Sequence, residues 1–359
     1  MSATSSRKEF VLVLGAGASK EAQLPTGTEL KQEIAIAKVS DIRFKDGFTR
    51  SSGDALVETA LRRIAKKLSS RADIKPLLHV CWRICNAMPL AISIDNFIDT
   101  HRADEQVAIC GKVAIARCIL TAENHSLLKV DTSNIYNKLD FARVSDTWFT
   151  AFFQLLTENC QREDLAERLK KFAILCFNYD RCVEHYLHSA LQNYYALTAK
   201  EATEALANLE IRHPYGTVGG LPWQDRNNRI DFGGTPDAQQ LIDLSEQLRT
   251  FTEGTDPNTS DIYAIRSLLL NAGRIVFLGF AFHRLNLQLL FQAEAPDQRL
   301  PLGQPWVYGT ALGISASDVD VIRFKLSDML HTDNGQIYIR NDLTCSQLFH
   351  EYWRSLSLT

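Results

Sequence analysis

Three short stretches carry groups able to do chemistry. Asn178 and Asp180 close the apolar run FAILCFNYD, and His213 and Tyr215 stand in HPYG, which ends at Gly216. An Asn amide both donates and accepts, so Asn178 suits a substrate hydroxyl and a water together, and His213 is the natural proton acceptor near neutral pH. The simpler reading is that Asn178 and Asp180 cap a helix beginning near Arg181. In an extended segment residues two apart share a face, which predicts His213 and Tyr215 on the same side. The third stretch is FVLVLGAGAS, Phe10 to Ser19, a buried run that stops in small residues before a helix start. There the backbone of Gly15, Ala16, Gly17 and Ser19 can cradle a phosphate, with a tight turn free of ligand as the alternative.

These residues need strands to carry them. FAILCFNYD (172–180), RIVFLGFAF (274–282) and PWVYGTALG (305–313) resemble the first run, and each is followed by a helical pattern: RCVEHYLHSAL, RLNLQLLFQAE and SASDVDVIRFKLSDML. Repeated strand-then-helix units predict the α/β class, a parallel sheet covered on both faces with ligands at the carboxyl ends of its strands. From Asp54 to Tyr215 the single glycine is Gly111, and apolar residues recur there at three- and four-residue intervals (Leu56, Ala60, Leu61, Ile64, Leu68). This predicts a helical insertion over 49–170 within a discontinuous nucleotide-binding domain, 8–48 and 171–330, followed by a C-terminal segment, 331–359. The loosest region is Arg229 to Pro257, around a helix from Ala238 to Arg249.

Composition narrows the classes. The chain has 359 residues, 45% hydrophobic and 23% charged, with a formal net charge of −3. Its Lys and Arg are scattered, so direct nucleic-acid binding has no electrostatic support. The N-terminal MSATSSRKEF lacks the apolar core of a secretory signal, and no apolar run approaches the roughly 18 residues of a membrane span. A soluble, cytoplasmic protein is expected. None of the eight cysteines forms a CxxC pair, so reduced core thiols are expected, with a structural metal as the minority reading. Two common nucleotide motifs fit badly: Lys20 stands where the dehydrogenase fingerprint needs its third glycine, and the Gly-Lys-Ser/Thr of a phosphate loop does not occur.

GAGAS, then LPTGTEL (24–30), SIDNFID (93–99), FNYDRCVEH (177–185), HPYGTVGGLPW (213–223) and VFLGFAFHRLN (276–286), in that order, resemble the bacterial sirtuin-like NADase family of antiviral defence proteins. The motifs span about residues 10–290. The resemblance implies a Rossmann-like parallel sheet of the sirtuin type with a large helical insertion, and NAD⁺ as a substrate cleaved to nicotinamide and ADP-ribose. It places Asn178 on the nicotinamide ribose and Asp180 on the carboxamide. It puts Gly279 and Phe280 over the adenosine half, with Asn286 either lining that region or lying on a helix surface. Thr26 falls in the loop over the site, though an ordinary turn also explains Pro25 to Gly27. The family's base is a His directly before a Gly; here that residue is Tyr215, and His213 lies two positions earlier. The expected catalytic pair is Asn178 and His213, with Tyr215 assisting or replacing the latter.

The chemistry agrees with this assignment. The leaving group is a pyridinium that departs neutral, so no general acid is needed, and an amide with a His suffices where other glycosidases use two carboxylates. Absence of the paired CxxC motifs of deacylating sirtuins disfavours deacylation. An alternative of another class is a non-hydrolysing subunit that binds NAD⁺ or ADP-ribose. Family resemblance further implies a hexameric translocase-type ATPase or a short Argonaute as partner, and the helical module and C-terminal segment are expected to offer surfaces for a homo-oligomer; no metal cofactor and no membrane association are expected. His185 and His188 lie three apart on a helix, a metal-compatible spacing without a third ligand. Trp82, Trp148, Trp223 and Trp306 are expected as core or interface anchors. The amphipathic LFHEYWRSL near the C-terminus offers a face for self-assembly or a partner.

Overall fold

The structure is a computed structural model that describes residues 7–36, 40–45, 50–70, 72–131, 133–134, 136–250, 253, 262–291 and 304–358. Residues 251–252 and 254–257 of the expected loose region, and 292–294 of one expected helix, lie outside the described residues.

Six strands form one parallel sheet: β1 (Phe10–Leu14), β2 (Phe172–Cys176), β3 (Glu210–Arg212), β4 (Arg274–Leu278), β5 (Trp306–Thr310) and β6 (Ile337–Arg340). Their spatial order is β3-β2-β1-β4-β5-β6. Phe10 pairs with Phe172 on one side and Arg274 on the other, and every pairing is parallel. This is the doubly wound, Rossmann-like order, in which successive strands are added to one side of β1 and then, from β4 on, to the other. A crevice therefore opens above the carboxyl ends of those two strands. A separate two-stranded ribbon pairs Arg43–Phe44 with Arg50–Ser52.

The sheet is buried on both faces at its centre because β1 and β2 are apolar at every position, and β4 at all but its first, rather than at alternate ones. Side chains alternate: Val11 and Val13 join one core, while Phe10, Leu12 and Leu14 join the other. The first core is covered by helices Gly27–Ile36, Ala55–Leu68, Lys75–Ala87, Ile94–Thr100, Glu105–His125 and Ala238–Ser245, and the second by Trp148–Thr157, Cys182–Tyr194 and Cys345–Leu356. Asp54, Ser93 and Asp104 cap three of these helices, each side chain accepting from first-turn N–H groups. The stretch 49–170, expected as one inserted module, thus divides between the two faces.

The C-terminal stretch also differs from its expectation. It supplies β6, the edge strand next to β5, and its amphipathic helix buries Cys345, Leu348, Phe349 and Leu356. That apolar face joins the core formed with Trp148–Thr157, so it is covered by the chain itself. Among the described residues no helix is long and apolar enough to cross a membrane.

One polar contact ties the helices to the sheet. Arg181 and Glu123 are 1% and 0% exposed, and they pair through two parallel N–H···O contacts, Nε to Oε1 and Nη2 to Oε2. Glu123 also accepts from the backbone N–H of Arg181 at 3.1 Å and of Gly233 at 3.0 Å. Replacing Glu123 with Ala strands a buried guanidinium, which costs about 3–5 kcal/mol. Urea unfolding of Glu123→Ala is expected to show that loss; an unchanged midpoint would refute the structural role.

Candidate active-site crevice

At the ends of β1 and β4 the backbone comes into direct contact with itself. Gly279 has φ +54, and a Cβ there would stand 2.0 Å from the Ala18 nitrogen; a Cβ on Gly15 or Gly17 would in turn strike Gly279. Only glycines permit this approach. Hydrogen bonds lock it: Gly15 donates to Leu278 O, Gly17 to Gly279 O and Ala18 to Gly15 O. Of the four residues whose backbone the sequence reading offers to a phosphate, Gly15 and Gly17 thus have their amides occupied within the protein. Ala16, Gly17 and Gly279 remain half-exposed at the crevice mouth.

Asn178 is 6% exposed and bound to both neighbouring loops. Its Nδ2 donates to Gly15 O at 3.1 Å and to Ser19 Oγ at 2.9 Å. Because a carbonyl can only accept, this contact fixes the amide's orientation. The Oδ1 atom is left buried with no partner among the described residues. Buried acceptors are ordinarily paired, so this one calls for a donor from water or ligand.

Asp180 is fully engaged. Its Oδ2 accepts from Ser19 Oγ at 2.8 Å and its Oδ1 from the Cys182 N–H at 3.1 Å, the capping-type contact that sequence reading held as the alternative. Burial pushes its carboxyl above the ordinary range, with these hydrogen bonds opposing. Thr26 likewise forms a capping box with Glu29, each side chain meeting the other's backbone N–H. Its role is the start of helix Gly27–Ile36.

His213 is the principal correction. HPYG is not extended: the Gly216 N–H donates to His213 O at 3.1 Å, closing a turn with Pro214 at its second position. Gly216 has φ +73, and a Cβ there would lie 2.1 Å from Gln247 O. The turn sends the two side chains to opposite cores. His213, its side chain 3% exposed, meets Asn178 O through Nδ1 at 3.2 Å and Glu184 Oε1 through Nε2 at 2.8 Å. Burial alone would lower the imidazole's pKa, but the Glu184 carboxylate outweighs it and holds His213 well above its ordinary value. Burial would raise Glu184, and His213 overrides that to hold it low. With both ring nitrogens facing acceptors, His213 is a buried imidazolium without a lone pair for a substrate proton.

Tyr215 faces the crevice instead. Its ring packs edge-on against Phe177 at 5.5 Å, its neighbour Phe280 packs on the same Phe177 at 5.1 Å, and its hydroxyl donates to Asn286 Oδ1 at 2.7 Å. Burial, then Asp95 and Asp99, push the phenol far above its usual range. It keeps its proton, which it donates to Asn286. Gly15, Ser19, Asn178 and Gly279 are thus joined by direct contacts, and Tyr215, Phe280 and Asn286 by contacts around Phe177 and the Tyr215 hydroxyl, while His213 lines a separate cavity with Pro214, Gly216 and Arg249.

Other motif residues settle into the core. His185 stacks on Phe232 and contacts Leu128 O; His188 stacks on Trp223 and contacts Ala199 O. Among the described residues no group of three His, Cys, Asp or Glu is placed to hold a metal ion. Sequence reading missed Glu184 and Asp95, both inside motifs it had quoted, FNYDRCVEH and SIDNFID. Glu184 sits on helix Cys182–Tyr194 with no local pairing signal toward His213.

No protein-family model matches the chain, and no curated protein matches it.

The ion pair carries a pH signature. His213's contribution is full below its unfolded value of 6.5 and is lost as pH rises through its raised folded value; Glu184's is present above 4.5 and lost as pH falls through its lowered one. Glu184→Gln is expected to cost about 3 kcal/mol, most between pH 4.5 and 6.5, with the deficit shrinking at alkaline pH. Thermal melts across that range check this, and a pH-independent deficit would contradict it.

Proposed function

We propose that the crevice binds NAD⁺ and that the protein hydrolyses its nicotinamide–ribose bond, as an effector of antiviral defence that acts by depleting NAD⁺. One observation carries the reading: Asn178 is held on its nitrogen side by Gly15 and Ser19 and leaves a buried, partnerless oxygen at the switch point of a Rossmann-like sheet. A ribose hydroxyl or an attacking water is the donor this acceptor lacks. The ordered motifs of the sirtuin-like family support the same ligand, as does the glycine contact that brings bare backbone to the crevice mouth.

The reaction suits these groups. Nicotinamide leaves neutral from a cationic bond, so the protein has to hold the ribose, position water and accept a proton. Asn178 supplies positioning. Asp180, assigned to the carboxamide by resemblance, acts here through Ser19 and the helix it starts. An ATPase or short Argonaute partner belongs to this proposal through family resemblance alone.

A second reading has one observation in its favour. His213 is locked in its ion pair and Tyr215 occupies the position before Gly216, an arrangement compatible with a subunit that binds NAD⁺ or ADP-ribose without cleaving it.

Nicotinamide release from NAD⁺ separates the two. Under the first reading Asn178→Ala loses roughly 10²–10³-fold in turnover while remaining folded. His213→Gln loses much less than Asn178→Ala, because it is not the base. NAD⁺ binding without release, in the presence of a partner and trigger, would establish the second reading instead.

A further inference from the structure

We infer that the cavity at the carboxyl end of β3 is a second binding site, which takes a phosphate-bearing small molecule through the guanidinium groups of Arg226 and Arg249. The edge strand and the turn that follows it line this cavity together with Arg226, Glu246, Gln247 and Arg249, and its volume is about 680 Å³. That is within the range of about 300–1,000 Å³ usual for small-molecule sites. Neither Asn178 nor Tyr215 lines it, so the inference stands apart from the hydrolase reading.

The arginines decide the charge of the ligand. Arg212 is engaged by Glu210, its Nε donating to Oε1 at 2.7 Å. Arg226 and Arg249, by contrast, make no side-chain hydrogen bond or ion pair among the described residues. A guanidinium stays charged at any pH the protein meets, so two cations with unspent donors border the same cavity. Opposing them are Glu210, which also pairs with Lys8 at 3.6 Å, and Glu246, which is exposed. The lining carries three Arg against two Glu, with one of those carboxylates already neutralised.

Two unspent forks call for more acceptors than one carboxylate offers. A carboxylate has two oxygens and is filled by a single bidentate Arg. A terminal phosphate presents three strong acceptors and a charge of about −1.5 to −2 at pH 7, which suits a pair of them. The cavity volume leaves room for the rest of a molecule that carries it.

Both arginines are held from behind. The Arg249 N–H donates to Tyr215 O at 2.9 Å, and its carbonyl accepts from Tyr179 Oη at 3.3 Å, so the backbone is fixed while the half-buried side chain is not spent. The stem of Arg226 lies against Gly220, where a Cβ would come within 2.8 Å of it. Its charge also reaches the ion pair beside the cavity: burial would raise the Glu184 carboxyl, and His213 together with Arg226 holds it low.

Calorimetric titration of the whole chain with inorganic pyrophosphate tests the site, with AMP and citrate as companion ligands. Pyrophosphate is expected to bind, and to bind more weakly as NaCl is raised to about 0.5 M. Arg226→Gln and Arg249→Gln each weaken it roughly tenfold, and the double variant abolishes it. Since neither guanidinium bonds to the protein, both variants are expected to melt as the wild type does. Glu246→Gln removes a lining anion and tightens binding; if the arginine variants do not fold, it decides alone, and an unchanged affinity overturns the site. AMP binding tighter than pyrophosphate, and lost in the same variants, makes the ligand a nucleotide, whereas the reverse order makes it a free polyphosphate anion. Citrate binding as tightly as pyrophosphate overturns the phosphate class. No binding of pyrophosphate or AMP by the wild type, or full binding in the double variant, overturns the site, and neither result touches the hydrolase reading.

Discussion

A guanidinium and a carboxylate without solvent between them hold this molecule together where it matters. Arg181 uses all its guanidinium donors: Glu123 takes two contacts, and the carbonyls of Gly220, Ile230 and Asp231 take the others. Removing two charges from water is costly, and the pair persists because geometry and hydrogen bonding satisfy both partners. Arg181 directly follows Asp180, so the same contact fixes where helix Cys182–Tyr194 begins. It binds the longest inserted helix to the loop that returns through Gly233. The crevice keeps its shape because its floor is joined to this dry pair rather than to mobile side chains.

Above that floor the glycines set the distance between two loops, and Asn178 reads out the result. Gly15 presents its carbonyl to Asn178, Ser19 presents its hydroxyl, and Ser19 is itself oriented by Asp180. Each link in this chain is short and buried, so the amide has one orientation. The unpaired Oδ1 is a cost the fold tolerates in an otherwise satisfied network, which is the pattern expected where a ligand completes the bonding.

The turn at HPYG separates two jobs that one extended strand would have merged. Its first residue goes to a buried ion pair behind the sheet, its third to the crevice. Behind, His213 steadies the Asn178 backbone and Glu184. Tyr215, Phe177 and Phe280 form an aromatic cluster on the other side, and helix Ile94–Thr100 is tied to the neighbouring strand end where Asp95 accepts from Tyr179.

The class of fold was legible in the amino-acid sequence alone. Apolar runs ending in Gly15, Asn178 and Gly279 can only be buried strands, and strands followed by helical patterns make a parallel sheet with its functional end known in advance. Local chemistry was legible where its partners are close in the chain, as in the Thr26–Glu29 capping box. What depended on distant partners was not. β6 carries only four residues and becomes a strand by pairing with β5. The fate of His213 was decided by a Glu 29 positions away on a helix, and that of Asp95 by a Tyr 84 positions away. Periodicity reports which face of an element is apolar, whereas protonation and pairing follow from which charges meet in space, and only the tertiary structure brings those together.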